Sequence, residues 1–67
     1  MGLTLKAARV NKNMTQVAAA REIGVSVDTL SNYERGASFP DVPTIKKIEM
    51  VYGVPYSELI FLPRNNG

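Results

Sequence analysis

The 67-residue sequence contains no cysteine and no histidine. Lack of cysteine excludes a disulfide framework and a thiolate metal site. Lack of histidine removes the commonest general base and the commonest metal ligand. No apolar run approaches the roughly 18 residues that a membrane-spanning helix needs. The opening Met1-Gly2-Leu3-Thr4-Leu5-Lys6 has neither the charged start nor the long apolar stretch of a secretory signal. It is also a poor myristoylation start, because Lys6 stands four residues after Gly2. No glycine-rich phosphate loop occurs, and the acidic residues Glu22, Asp28, Glu34, Asp41, Glu49 and Glu58 are isolated singles. These absences predict a cytoplasmic protein that is not an enzyme, with no metal, no cofactor, no small-molecule ligand and no membrane partner.

What remains is one small domain held together by packing. A chain of this length buries only roughly 60% of the surface that its unfolded form exposes. At this length a separate effector domain is not expected within it. Eight Lys and Arg against six Asp and Glu give a formal charge of +2, which tolerates a polyanionic partner without demanding one. The basic residues are scattered and form no tail.

Periodicity and stop signals divide the chain into helices. Leu5, Ala8, Arg9 and Lys12 share one face of a helix predicted over Leu3 to Lys12, and Asn11-Lys12-Asn13 reads as the turn that ends it. Thr15 is placed to cap a second helix, Gln16 to Glu22, with Met14 as a hydrophobic staple before it. Gly24 stops that helix and Ser26 caps a third, Val27 to Arg35, which Gly36 closes. A helix, a turn of about four residues and a second helix is the arrangement expected of two helices crossing at a steep angle. Ala37 to Pro43 reads as a loop, Thr44 to Tyr52 as a fourth helix ended by Gly53, and Pro55 to Ile60 as a short fifth. The predicted core is Leu5, Ala19, Ala20, Ile23, Val25, Leu30, Val42, Ile45, Ile48, Tyr52, Val54 and Leu59. Met50, Val51, Tyr56, Ile60, Phe61 and Leu62 exceed what so small a core can hide, and some of them are expected to form a dimer or partner surface.

Met14-Thr15-Gln16, Ala20, Ile23-Gly24-Val25-Ser26, Leu30-Ser31, Tyr33-Glu34-Arg35-Gly36 and Pro40, followed by Thr44, Ile48, Gly53-Val54 and Glu58-Leu59, resemble the lambda-repressor-like family of helix-turn-helix proteins (Cro/CI or XRE). A dozen matches in order at fixed spacing make the resemblance specific. It implies an all-α, compact five-helix DNA-binding domain over residues 3–61, a helix-turn-helix formed by helices 2 and 3, and a tail over 62–67. It also implies binding of double-stranded operator DNA as a homodimer on the duplex, and a transcriptional regulator, a repressor of phage or prophage Cro-like type.

Residue roles follow from the resemblance. The third helix would be the recognition helix, with Val27, Asp28, Ser31, Asn32 and Arg35 on one outward stripe. Val27, Asp28, Asn32 and, to a lesser extent, Ser31 would read bases: Asn32 paired with adenine, Val27 against a thymine methyl, Asp28 accepting from cytosine. Thr15, Gln16, Arg35 and Ser38 would meet phosphates, Gln16 beside the free amides of a helix start. Arg9 and Glu34 would form a partly buried salt bridge between helices 1 and 3. The loop after the recognition helix departs from the pattern, since Ala37-Ser38-Phe39-Pro40-Asp41 has no lysine or arginine. Arg35, Ser38, backbone amides and Lys6, Lys12 or Lys46 must then supply those contacts, so modest affinity with a shallow salt dependence is expected. Asp28 and that loop also favour an alternative, a protein-interaction module of the same fold that binds another regulator in place of DNA.

Overall fold

The computed structural model describes residues 2–62. Its elements run β1 (Leu3–Thr4), α1 (Leu5–Asn11), α2 (Gln16–Ile23), α3 (Val27–Arg35), α4 (Val42–Tyr52), a 3-10 turn (Tyr56–Glu58) and β2 (Leu59–Ile60). None of these helices is long and apolar enough to cross a membrane.

Each α-helix starts at a side-chain cap. Thr4, Thr15, Ser26 and Asp41 hold extended backbone, and each accepts from the amide three residues on. Each cap satisfies one of the orphan donors that a helix start leaves. Three of the ends are glycines in the left-handed region, Gly24, Gly36 and Gly53, and Asn13 at φ 57° turns the chain after α1. Gly24 (φ 92°) matters most for the site, because it reverses the chain between α2 and α3 and a Cβ there would be strained.

Three sequence expectations are corrected. The described residues hold four α-helices rather than five: Pro55 to Ile60 is a single 3-10 turn that runs into a strand. Pro55 has no N–H to extend a helix, and Leu59 and Ile60 instead pair in parallel with Leu3 and Thr4. Helix 1 correspondingly starts at Leu5, because Thr4 is its cap and Leu3–Thr4 is extended. Helix 4 starts at Val42 rather than Thr44, since Asp41 caps it and a proline is tolerated in a first turn whose amides have no partner anyway. From residue 63 onward, the tail lies outside the described residues.

The core is Leu5, Ala8, Ala19, Ala20, Ile23, Leu30, Ile48, Tyr52 and Leu59. Val42 is not part of it: at the first position of α4 it lies beyond the packed layer and is 64% exposed. Val25, Ile45 and Val54 are half-buried, as are Val51 and Phe61 from the set expected outside. Phe61 packs at 4.7 Å from Phe39 and 5.7 Å from Tyr56, centroid to centroid. Small Ala19 and Ala20 let α2 lie close to its neighbours at the centre.

Among the described residues Tyr52 is the largest fully buried side chain, and its hydroxyl has no hydrogen-bond partner there. Burial, reinforced by the Glu34 carboxylate and opposed by Arg9, pushes its pKa up to about 12. Because the folded value lies above the unfolded one, this group's contribution to stability is fully present below about pH 10 and is lost as pH rises towards 12. Removing an unpaired buried hydroxyl relieves a desolvation cost, so Tyr52→Phe is expected to be as stable as the parent or up to about 1 kcal/mol more stable. It should also unfold less readily between pH 10 and 12. Thermal melts at neutral and alkaline pH check both; a lower melting temperature at neutral pH would mean that the hydroxyl has a partner in solution.

Candidate nucleic-acid interface

The site is built by α1, the start of α2 and the second half of α3. At the start of α2, Thr15 Oγ1 accepts from the Ala18 amide at 3.1 Å. At the start of α3, Ser26 Oγ accepts from the Thr29 amide at 3.0 Å and donates its own proton to Thr29 Oγ1 at 2.8 Å. Between them the Gly24 and Val25 amides both donate to the Ala20 carbonyl, so the turn is closed by backbone bonds. The far end of α3 closes the same way, with the Ala37 amide donating to Asn32 O at 2.9 Å. Helix α3 is thus fixed at both ends. Leu30 is buried against the core, while Asp28 and Arg35 are exposed and Val27 is partly so.

A buried ion pair locks this arrangement from behind. Arg9 Nε donates to Glu34 Oε2 at 2.7 Å and its Nη2 to Oε1 at 3.2 Å, a two-pronged contact between α1 and α3. The third prong, Nη1, donates to the Met14 carbonyl at 2.9 Å, which ties in the segment entering α2. Both side chains are at least nine-tenths buried. The hydrogen bond to Glu34 outweighs desolvation and raises the Arg9 pKa, so the guanidinium keeps its charge. Gln16 joins the same carboxylate, its Nε2 donating to Glu34 Oε1 at 3.0 Å. An amide nitrogen carries two protons. One is therefore committed to Glu34, which holds the side chain at the mouth of the site.

In front of this lock lies an open groove of about 580 Å³ lined by Lys6, Arg9, Thr15, Gln16, Ser31, Glu34 and Arg35. Three cationic side chains face one carboxylate that is already paired, and the free first-turn amides of α2 add further donors. The arrangement suits an anionic ligand of phosphate size. Thr15, Gln16 and Arg35 are brought together here, and Lys6 joins them. Ser38 is not: it lines a separate small depression with Gly36, Phe39 and Leu62. Of the lysines weighed as substitutes, Lys46 lines an apolar groove on α4 and Lys12 lies against Gly53.

On the outer face of α3, Ser31 and Asn32 are half-buried. Arg35 Nη2 donates to Asn32 Oδ1. That oxygen is also the acceptor a bidentate adenine contact requires, and Arg35 occupies one of its two lone pairs. Sequence reading did not find this contact, nor the one between Gln16 and Glu34. The i,i+3 spacing of Asn32 and Arg35 was the available signal for the former; the latter joins residues 18 apart and had none. Among the described residues no cluster of acidic side chains is able to hold a metal ion.

Two capped helices joined by a tight left-handed turn, the second presenting a polar face, define a helix-turn-helix protein. The helix-turn-helix family model matches residues 5–59, and the chain belongs to that family, of the lambda-repressor-like type. It is 38% identical over 52 residues to the cryptic phage CTXphi transcriptional repressor RstR of Vibrio cholerae, a match that covers 78% of this chain and 47% of that protein. It is 37% identical over 60 residues to the HTH-type transcriptional regulator ImmR of Bacillus subtilis (strain 168), covering 90% of this chain and 47% of the relative. The chain thus spans about half the length of the curated relatives it matches. No solved structure matches it significantly.

Removing Arg9 leaves a buried carboxylate without its counter-ion and frees the Met14 carbonyl, so Arg9→Ala is expected to cost about 3 kcal/mol. In a domain this small that shifts the melting temperature by well over 10 °C. The double variant Arg9→Met/Glu34→Met should recover most of the loss, because no charge is then stranded. Denaturant unfolding of the three variants checks this. A melting temperature for Arg9→Ala within a degree or so of the parent would show that the ion pair is not part of the folded state in solution.

Proposed function

We propose that this chain binds double-stranded DNA in a sequence-specific manner and acts as a transcriptional regulator, a repressor of phage or prophage Cro-like type. The observation that carries the reading is the continuity of two surfaces. The groove holding Lys6, Gln16 and Arg35 borders, through Ser31, directly on the polar face of α3. A duplex presents phosphates and base edges in that same adjacency, and a helix-turn-helix meets both at once. Kinship with a phage repressor and a bacterial regulator supports the reading.

In this reading α3 lies in the major groove and its first residues meet base edges. Val27 touches a thymine methyl, Asp28 accepts from a cytosine amine, and Asn32 pairs with adenine, with Ser31 in a lesser role. Thr15, Gln16 and Arg35 fix the phosphate backbone, with Lys6 as a fourth contact. Ser38 reaches a phosphate only through a different part of the backbone, given its place away from the groove. Two copies occupy two half-sites about one helical turn apart.

A rival reading has specific support. Asp28 faces outward on α3, and residues 36–41 carry no lysine or arginine. A domain with those features could serve another regulator instead of DNA.

Selection from a randomised duplex pool separates the two. The DNA reading expects enrichment of a two-fold symmetric site. Asn32→Ala should relax one base position per half-site by about 1–3 kcal/mol. Gln16→Ala should weaken all sites alike and, being neutral, leave the slope of affinity against salt unchanged. No enrichment, with weak and identical binding by all three proteins, would favour the protein partner.

A further inference from the structure

We propose, resting on the DNA-binding reading above, that Arg35 is a positioning residue for base readout. It fixes which way round the Asn32 amide faces the duplex, and so lets that position read adenine against guanine. Asn32 is held at both ends. Its backbone carbonyl accepts from the Ala37 amide at 2.9 Å and from the Ser38 amide at 3.4 Å, in the turn that closes α3. The residue is half-buried, and Arg35 Nη2 donates to its Oδ1 from one turn further along the helix.

An asparagine side chain carries an oxygen that only accepts and an amino group that only donates. The two are alike in shape and their torsion is broad and two-fold, so an unheld amide turns over at little steric cost. The guanidinium removes that freedom. It offers donors alone, so a turned-over amide would set its amino group against another donor and a positive charge. Arg35 therefore keeps Oδ1 on its own side and the Nδ2 group on the other. One lone pair of Oδ1 is used and the second stays free, which leaves acceptor and donor in a fixed order.

That order separates the purines. In the major groove adenine offers N7 as acceptor and its N6 amine as donor, whereas guanine offers two acceptors, N7 and O6. An amide of fixed polarity matches adenine at both points, but against guanine its free lone pair meets an acceptor. A freely turning amide can also bring its amino group to guanine O6, so the two bases are separated less well.

The same guanidinium lines the groove with Lys6 and Gln16. It has further N–H donors for a phosphate after one is spent on Asn32. A seated phosphate thus holds Arg35, and Arg35 holds the base reader. Contact with the backbone and readout of the sequence are coupled through one side chain.

The experiment compares the parent with Arg35→Lys, Asn32→Ala and the double variant Arg35→Lys/Asn32→Ala. Lysine keeps the charge but is a compact ammonium on a flexible stem, without the planar fork. Each protein is titrated on the site that the parent enriches from a random duplex pool. The position that Asn32→Ala relaxes carries adenine in one duplex and guanine in the other. A weakened phosphate contact lowers affinity for both duplexes alike, so the ratio between them is the readout. The parent should prefer adenine by about tenfold, and Arg35→Lys should bring the preference below about threefold. In the Asn32→Ala background the lysine should change the ratio no further. A parental ratio in Arg35→Lys would overturn the positioning role and leave DNA binding intact. A preference that survives Asn32→Ala in part and vanishes in the double variant would overturn it too, because Arg35 would then read the base itself. A relaxed position that prefers another base to adenine, or no relaxed position at all, counts against it in the same way. If the parent enriches nothing, both this inference and the DNA reading fall together.

Discussion

The fold turns on one buried carboxylate. Glu34 receives two hydrogen bonds from Arg9 and one from Gln16, and Arg9 in turn holds the Met14 carbonyl. These bonds link α1, the entry to α2 and the last turn of α3, the three pieces whose relative placement makes the front groove. Apolar packing alone would not fix them so tightly. The core is small and rich in alanine, and dispersion contacts are undirected. A buried ion pair adds little net stability compared with a hydrophobic replacement, but it tolerates only one geometry. Here that geometry also holds the Gln16 amide, so one constraint orients the helices and a groove-lining side chain together.

The second organising principle is local. Four caps and three left-handed glycines decide where each helix starts and stops, and these signals act within three or four residues. That is why the limits of α3 are legible in the sequence: Ser26 and Gly36 punctuate it unambiguously. The same kind of cap stands at Thr4 and Asp41, where its neighbours mask it. Thr4 looked like helix interior because Leu3 and Leu5 flank it, and Pro43 made a capped helix start look like a loop. The β1–β2 pairing had no local signal. Two residues at each end of the domain pair in parallel, and only the tertiary fold brings Leu3 opposite Leu59.

Legibility of the candidate site divides along the same line. The stripe on α3 follows from helical spacing, so its membership could be read directly. Side-chain partnerships across elements could not. The resemblance supplied a role for Gln16 but not its bond to Glu34. It supplied a role for Asn32 but not the guanidinium of Arg35 resting on its oxygen. Val42 shows the complementary failure. Its spacing from Ile45 and Ile48 suits a core face, yet the helix begins at that residue and the core does not extend so far.

The distribution of charge has a consequence for how such a domain would work. Few cations line the groove, and the loop that follows α3 contributes none. Counter-ion release grows with the number of phosphates neutralised, so a single copy would gain little non-specific affinity. Weak non-specific binding also leaves fewer copies trapped on unrelated sequence, which favours discrimination over raw affinity. Two weakly held copies multiply their half-site preferences, whereas one strongly basic copy would raise affinity for every sequence alike. On the DNA-binding reading, the sparse charge pattern of the groove therefore favours discrimination between sequences over affinity for all of them alike.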